Sequence, residues 1–314
     1  MTSRQRILAT LKHEIPDLIP IDFGGMRSTG IHAQAYARLA RYLGFPDLQP
    51  RVFDVMQMLA YPDRQLRERF ASDVVQLPRW LALEAKRLAE LDCAVLGPFG
   101  GSFLEAGFEY FGMERFFINL LSAPKLVEHF FSKLLQAHIE DFDRYREAVG
   151  KRVDIINVSD DLGSQNGPLI SPETYRQVIK PFHRRLYAHI REKSGMFLFL
   201  HSCGSIYAFI PDLIEAGVQI LNPIQYRAGD MEPRRLKKEF GKDIVFWGGG
   251  CDTQQVLSRG SLEEIKAETE MMIRIFAPGG GFVFTQVHNI QPGVAPEKIL
   301  ALYEVIKKCR KAYS

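Results

Sequence analysis

The stretch Gly195-Met-Phe-Leu-Phe-Leu-His201-Ser-Cys203-Gly204 decides how the chain is read. The apolar run Met196 to Leu200 has the pattern of a strand covered on both faces. At its end come a histidine, a cysteine two positions on, and a glycine. A second apolar run, Ile244 to Trp247, ends in Gly248-Gly-Gly250-Cys251. Two strand ends thus deliver His201, Cys203 and Cys251, side chains of the kinds zinc favours.

Outward from this stretch, strand and helix patterns alternate. Strand patterns lie near residues 18, 73, 94, 154, 196, 218, 244 and 281. Helical spacing fills the intervals, with expected helices over 31–43, 65–70, 81–90, 104–120, 125–147, 171–193, 206–216, 232–240 and 262–275, and a closing one over 296–312. A first helix follows Ser3 as its expected cap. Ser122 and Ser261 are expected caps further on, and Pro181 is an expected kink. Alternating βα units imply a parallel sheet. Eight of them in one composition regime predict an α/β fold, a single (β/α)8 TIM barrel over residues 1–314. The first strand is not followed by Gly-x-Gly-x-x-Gly, which weighs against a dinucleotide fold.

The 314 residues are 46% apolar and 25% charged, ordinary for a globular protein. A net charge of +3 is too small to argue for nucleic acid, and the aromatic residues do not interleave with basic runs. The first residues lack the apolar core of a signal peptide, and no apolar run is long enough to span a bilayer. A cytoplasmic location is expected. There the four cysteines stay reduced, which favours metal or catalytic roles over disulfides.

In a barrel the active face lies just past the C-terminal strand ends. Polar residues gather at those points: Arg27; Asp160, Asp161 and Gln165; His201 and Cys203; Asn222 and Gln225; Cys251; Gln286, His288 and Asn289. Of these, Asp161, His288 and Arg27 are the expected catalytic residues. Gln165, Asn222, Gln225 and Gln286 are the expected substrate-binding ones. Gly279-Gly-Gly281 precedes a strand and reads as a turn at the opposite face.

Three ligands from two strand ends suit a catalytic zinc with an open position, and thiolates favour a soft fourth ligand such as a substrate thiol. The competing reading makes both cysteines small core residues; spacing alone does not choose, and placement at strand ends favours metal. Cys93 and Cys309 read as structural. Asp160 and Asp161 read equally as caps or as functional carboxylates, and His288 equally as a satisfied or a catalytic group.

Several motifs occur together: Arg4-Gln-Arg-Ile-Leu with Pro16-Asp-Leu-Ile-Pro20, Asp160-Asp161-Leu-Gly163 through Ser171-Pro172-Glu173, Ile179-Lys-Pro181, His201-Ser-Cys203-Gly204, Phe246-Trp-Gly-Gly-Gly250-Cys251-Asp252-Thr253, and His288-Asn-Ile290. In these the chain resembles the uroporphyrinogen decarboxylase superfamily, in particular its zinc- and corrinoid-linked methyltransferase branch. The decarboxylases carry a Met-Arg-Gln-Ala-Gly-Arg loop after the first strand. Here Arg27 matches its first arginine and Ile31 replaces the second. The resemblance places His201, Cys203 and Cys251 on the zinc positions, with Gln225 near where a related pattern has a glutamate ligand. The segment from Asp73 to Cys93 is shorter than the resemblance leads one to expect.

The resemblance implies Zn2+ as cofactor and methyl transfer between a corrinoid (cobalamin), carried by a partner protein, and a thiol or small methylated substrate. A homodimer is the base-rate expectation. The alternatives are a metal-free decarboxylase of a tetrapyrrole or smaller acid, and a non-enzymatic barrel.

Overall fold

The computed structural model describes residues 1–77, 85, 87, 88 and 90–311. Most of the expected helix over 81–90 lies outside the described residues, as does Ala312. The framework is a curled, seven-stranded parallel sheet. Its strands are Val74–Gln76, Ala94–Gly100, Ile155–Ser159, Phe197–His201, Ile220–Asn222, Val245–Trp247 and Phe282–Val283, each hydrogen-bonded to its chain neighbour. From Ala94–Gly100 onward, helices connect the strands and cover the convex face, as parallel pairing requires.

The expected strand near residue 18 is one bridge long. Ile21 pairs with Phe284. Asp22 N donates to Phe284 O at 2.8 Å, and on the other side Asp73 N donates to Ile21 O at 2.8 Å. The segment therefore lies between the two outer strands. It cannot lengthen because Pro20 has no N–H to give, and because Asp22 turns the chain at once, its Oδ1 accepting from Gly25 N at 2.6 Å.

Alternation along the strands sorts the side chains into two layers. Val74, Ala94, Leu96, Ile155, Phe199, Ile220, Val245, Trp247 and Val283 form one buried cluster on the concave side, closed below by Ile7 and Leu11 of the first helix, Ser3–Leu11. Leu198, Leu200, Leu221 and Phe246 belong to the larger cluster under the helices. The same parity carries Gln76, Asn157, Ser159, His201 and Asn222 above the concave apolar layer, at the C-terminal strand ends.

Several local expectations change. Thr2, not Ser3, caps the first helix, through a capping box with Gln5. The helix expected over 104–120 is two, Leu104–Phe111 and Met113–Ser122, separated by Gly112 at φ +79°. Ser122 caps nothing; its hydroxyl turns back to Ile118 O at 2.9 Å. Ser261 is a cap as expected, in a box with Glu264. The kink expected at Pro181 is a wide turn over Tyr175–Ile179, just before Lys180–Ser194.

A small antiparallel sheet was not anticipated. Ile31–His32, Leu59–Tyr61 and Arg51–Asp54 pair in that order. The hairpin of the last two stands over the strand ends.

Candidate metal centre

His201 and Cys203 sit where the strand ends and its continuation turns. Gly204 makes that turn at φ +81°, and a Cβ there would stand 2.5 Å from the Gly163 carbonyl carbon. Only glycine fits, so the loops after two neighbouring strands touch backbone to backbone. Asp161 adds a tie, its Oδ1 accepting from Cys203 N at 2.8 Å.

These constraints bring Cys203 Sγ within 3.3 Å of His201 Nε2. His288, from the loop after the last strand, completes a cluster: ligand atoms of His201, Cys203 and His288 all lie within 4.8 Å of one another. The two rings are 5.7 Å apart. His201 Nδ1 lies 2.7 Å from Asn222 Oδ1. Asn222 Nδ2 is committed to Trp247 O at 2.9 Å, and Ser28 Oγ donates to the same Oδ1 at 2.9 Å. The oxygen of Asn222 thus faces His201, so Nδ1 carries the proton and Nε2 keeps a lone pair toward Cys203.

Cys251 is not brought to the pair. Its thiol is fully buried in the layer beneath the helices, 3.5 Å from Glu268 Oε2 on the helix Leu262–Phe276. The glycine run explains this. Gly250 N donates to Thr285 O at 2.8 Å and Val287 N to Cys251 O at 3.0 Å. These bonds hold the chain against the last strand, and the side chain faces outward. The third potential ligand beside His201 and Cys203 is His288, which the sequence reading placed among the catalytic residues.

The electrostatics suit a cation. Burial, and next the Asp161 carboxylate, push the Cys203 thiol well above its ordinary value. Burial and then His201 push the His288 imidazole down to about 4, so it is a neutral donor at physiological pH. Burial, then Asp160 and Asp161, push the Glu105 carboxyl up to about 8.

Above the cluster opens a cavity of about 580 Å³. Arg27, Asp161, His201, Cys203 and His288 line it. Arg27 is ion-paired with Asp54, whose Oδ1 also caps the hairpin turn by accepting from Met56 N and Gln57 N. Four expected substrate-binding residues serve other ends. Asn222 is buried and orients His201. Gln225 accepts from Gly204 N at 2.9 Å and donates to Gln165 Oε1 at 3.0 Å, while Gln165 Nε2 donates to Arg227 O at 2.7 Å. Gln286 is buried, donating to Thr29 O and accepting from Tyr303 Oη, both at 2.9 Å. These amides tie loop to loop.

Asp160 is wholly buried and acts as a remote helix cap. It accepts from Phe103 N, Leu104 N and Glu105 N at 2.9–3.0 Å and pairs with His183 Nε2 at 3.0 Å. It thereby aims Glu105 at the cavity. Glu105 and Gln76 line the cavity and escaped the sequence reading. Gln76 was findable, being in phase with inward-facing Val74. Glu105 was not, since nothing in the sequence links it to Asp160.

The curled parallel sheet with its helices is a TIM-barrel-like α/β fold, and the His201, Cys203 and His288 cluster at its C-terminal face is a possible metal site. The uroporphyrinogen decarboxylase (URO-D) family model matches residues 85–309, and the chain belongs to that family. A protein named uroporphyrinogen decarboxylase from Thioalkalivibrio sulfidiphilus (strain HL-EbGR7) is 26% identical over 265 residues, 81% of this chain and 68% of that protein. A solved methyltransferase from Methanosarcina mazei superposes with a TM-score of 0.69 at 17% identity, covering 98% of this chain and 99% of that one. No helix among the described residues is long and apolar enough to cross a membrane.

Proposed function

We propose that the protein is a zinc-dependent methyltransferase, built as a (β/α)8 barrel whose first stave is reduced to the bridge at Ile21. It would move a methyl group between a corrinoid carried by a separate protein and a thiol or small methylated molecule. The observation that carries this reading is the convergence of His201 Nε2, Cys203 Sγ and His288 at the floor of an open cavity.

The donor set fits zinc. One sulfur and two imidazole nitrogens leave a fourth position open, as catalytic sites do. Two corners of a tetrahedron with bonds of about 2.0–2.3 Å are roughly 3.3–3.8 Å apart, and the His201–Cys203 separation is 3.3 Å. Bound zinc would supply positive charge that ionises Cys203 and a coordinated substrate thiol near neutral pH. Asn222 holds His201 in the tautomer that offers Nε2, Asp161 fixes the Cys203 backbone, and His288 offers a neutral ring.

The family model and the curated relative's name support decarboxylation as the second reading. The cavity wall argues against a tetrapyrrole with many carboxylates. The Asp161 carboxylate lines it, and the Arg27 guanidinium there is already matched by Asp54. The test is incubation of zinc-loaded protein with methylcobalamin and 2-mercaptoethanol, and separately of metal-free protein with uroporphyrinogen. Zinc-dependent loss of the methyl–cobalt absorbance supports methyl transfer; coproporphyrinogen from the metal-free protein contradicts it.

A further inference from the structure

We infer that Gln76 is a substrate-recognition residue, and that the cavity takes a small uncharged molecule with an apolar body and an O–H or N–H group that the Gln76 amide binds. Gln76 is 5% exposed, and its Oε1 has no hydrogen-bond partner among the described residues. A buried acceptor left without a donor destabilises the free protein. It lines the cavity, projecting from the end of the strand Val74–Gln76 on the same side as His201. Its backbone oxygen is occupied, accepting from Tyr61 Oη at 3.1 Å, so the side-chain amide alone is left for a ligand.

The surroundings define what that ligand is. Phe53, Pro98 and Phe99 line the same cavity and give an apolar body its contacts. The Asp161 carboxylate disfavours an anion there, Glu105 held toward its neutral form adds no positive charge to attract one, and Arg27 is matched by Asp54. A neutral donor is the group that satisfies an orphaned amide oxygen without adding charge. This deepens the reading of the cavity as the substrate site and needs no metal. The binding test therefore uses metal-free protein, and its failure is separable from failure of the zinc site.

The probes are phenol and toluene, matched in size and differing in one O–H, titrated calorimetrically into wild type and Gln76→Leu. The wild type should bind phenol about threefold to tenfold more tightly relative to toluene than the variant does. Thermal melts of the ligand-free proteins give the second readout. Gln76→Leu should melt at or above the wild-type temperature, because it removes an unsatisfied polar atom. A melting temperature lowered by several degrees would make Gln76 a structural residue. An equal phenol-to-toluene ratio in both proteins, or no phenol binding to the wild type at millimolar concentration, would also overturn the inference. Gln76→Ala, which adds no bulk, is measured beside it with the same expected loss of phenol preference, and destabilisation of both variants makes Gln76 structural and overturns the inference.

Discussion

His201 Nδ1 lies 2.7 Å from Asn222 Oδ1, and the other end of that amide donates to Trp247 O at 2.9 Å. One side chain thereby settles which ring nitrogen of His201 carries the proton. A histidine ligand held this way has its orientation and tautomer set before any cation arrives. Replacing Asn222 by Ala should weaken zinc binding about 10- to 100-fold, measured by competition with a chromophoric chelator. Wild-type affinity in the variant would show that the amide is incidental.

Gly204 holds the two ligand-bearing loops in contact. It has φ +81°, and an added Cβ would meet the Gly163 carbonyl carbon at 2.5 Å. Both the conformation and the space exclude a side chain, and neither neighbour is a flexible side chain that can swing away. Gly204→Ala should cost a few kcal/mol in chemical denaturation and displace Cys203 from His201. A folded variant with undiminished stability would contradict the close approach.

Asp22 is fully buried, accepting from Gly25 N, Thr29 Oγ1 and Trp247 Nε1. Burial, against those donors, pushes its carboxyl up from the ordinary value to about 6. The native state then holds a proton that the unfolded state has lost between about pH 4 and 6. The Asp22 contribution is present at acid pH and is lost as pH rises through about 6, by about 3 kcal/mol in all. Asp22→Asn cannot titrate and sets an amide N–H₂ against donors, so it should be less stable at pH 5. The gap to wild type should narrow by pH 8. Urea titrations at the two pH values check the sign; a gap that widens with pH would contradict it.

Much of this was legible from particular residues. Apolar runs such as Met196 to Leu200 and Ile244 to Trp247 located the strands, because a strand covered on both faces leaves a continuous apolar signature. The position of His201 at the end of its apolar run put it at the face where a barrel carries its site. Two kinds of information were not legible. Cys251 follows three glycines, which carry no side-chain parity, so the facing of its thiol depends on backbone bonds to Thr285 and Val287. Asn222, Gln225 and Gln286 occupy strand ends as substrate-binding residues do. Whether an amide faces a cavity or bonds to a neighbouring loop is a tertiary fact that no local pattern encodes. The hairpin 51–61 was hidden for a related reason: its exposed Val55 and Met56 break the alternation that marks a strand.

The central claim is tested most directly by metal content. Protein purified in the presence of zinc, dialysed and assayed by elemental analysis should hold one equivalent in the wild type and in Cys251→Ala, and almost none in Cys203→Ala or His288→Ala. A wild type without metal, or zinc lost with Cys251→Ala and kept with His288→Ala, would contradict the site built from His201, Cys203 and His288.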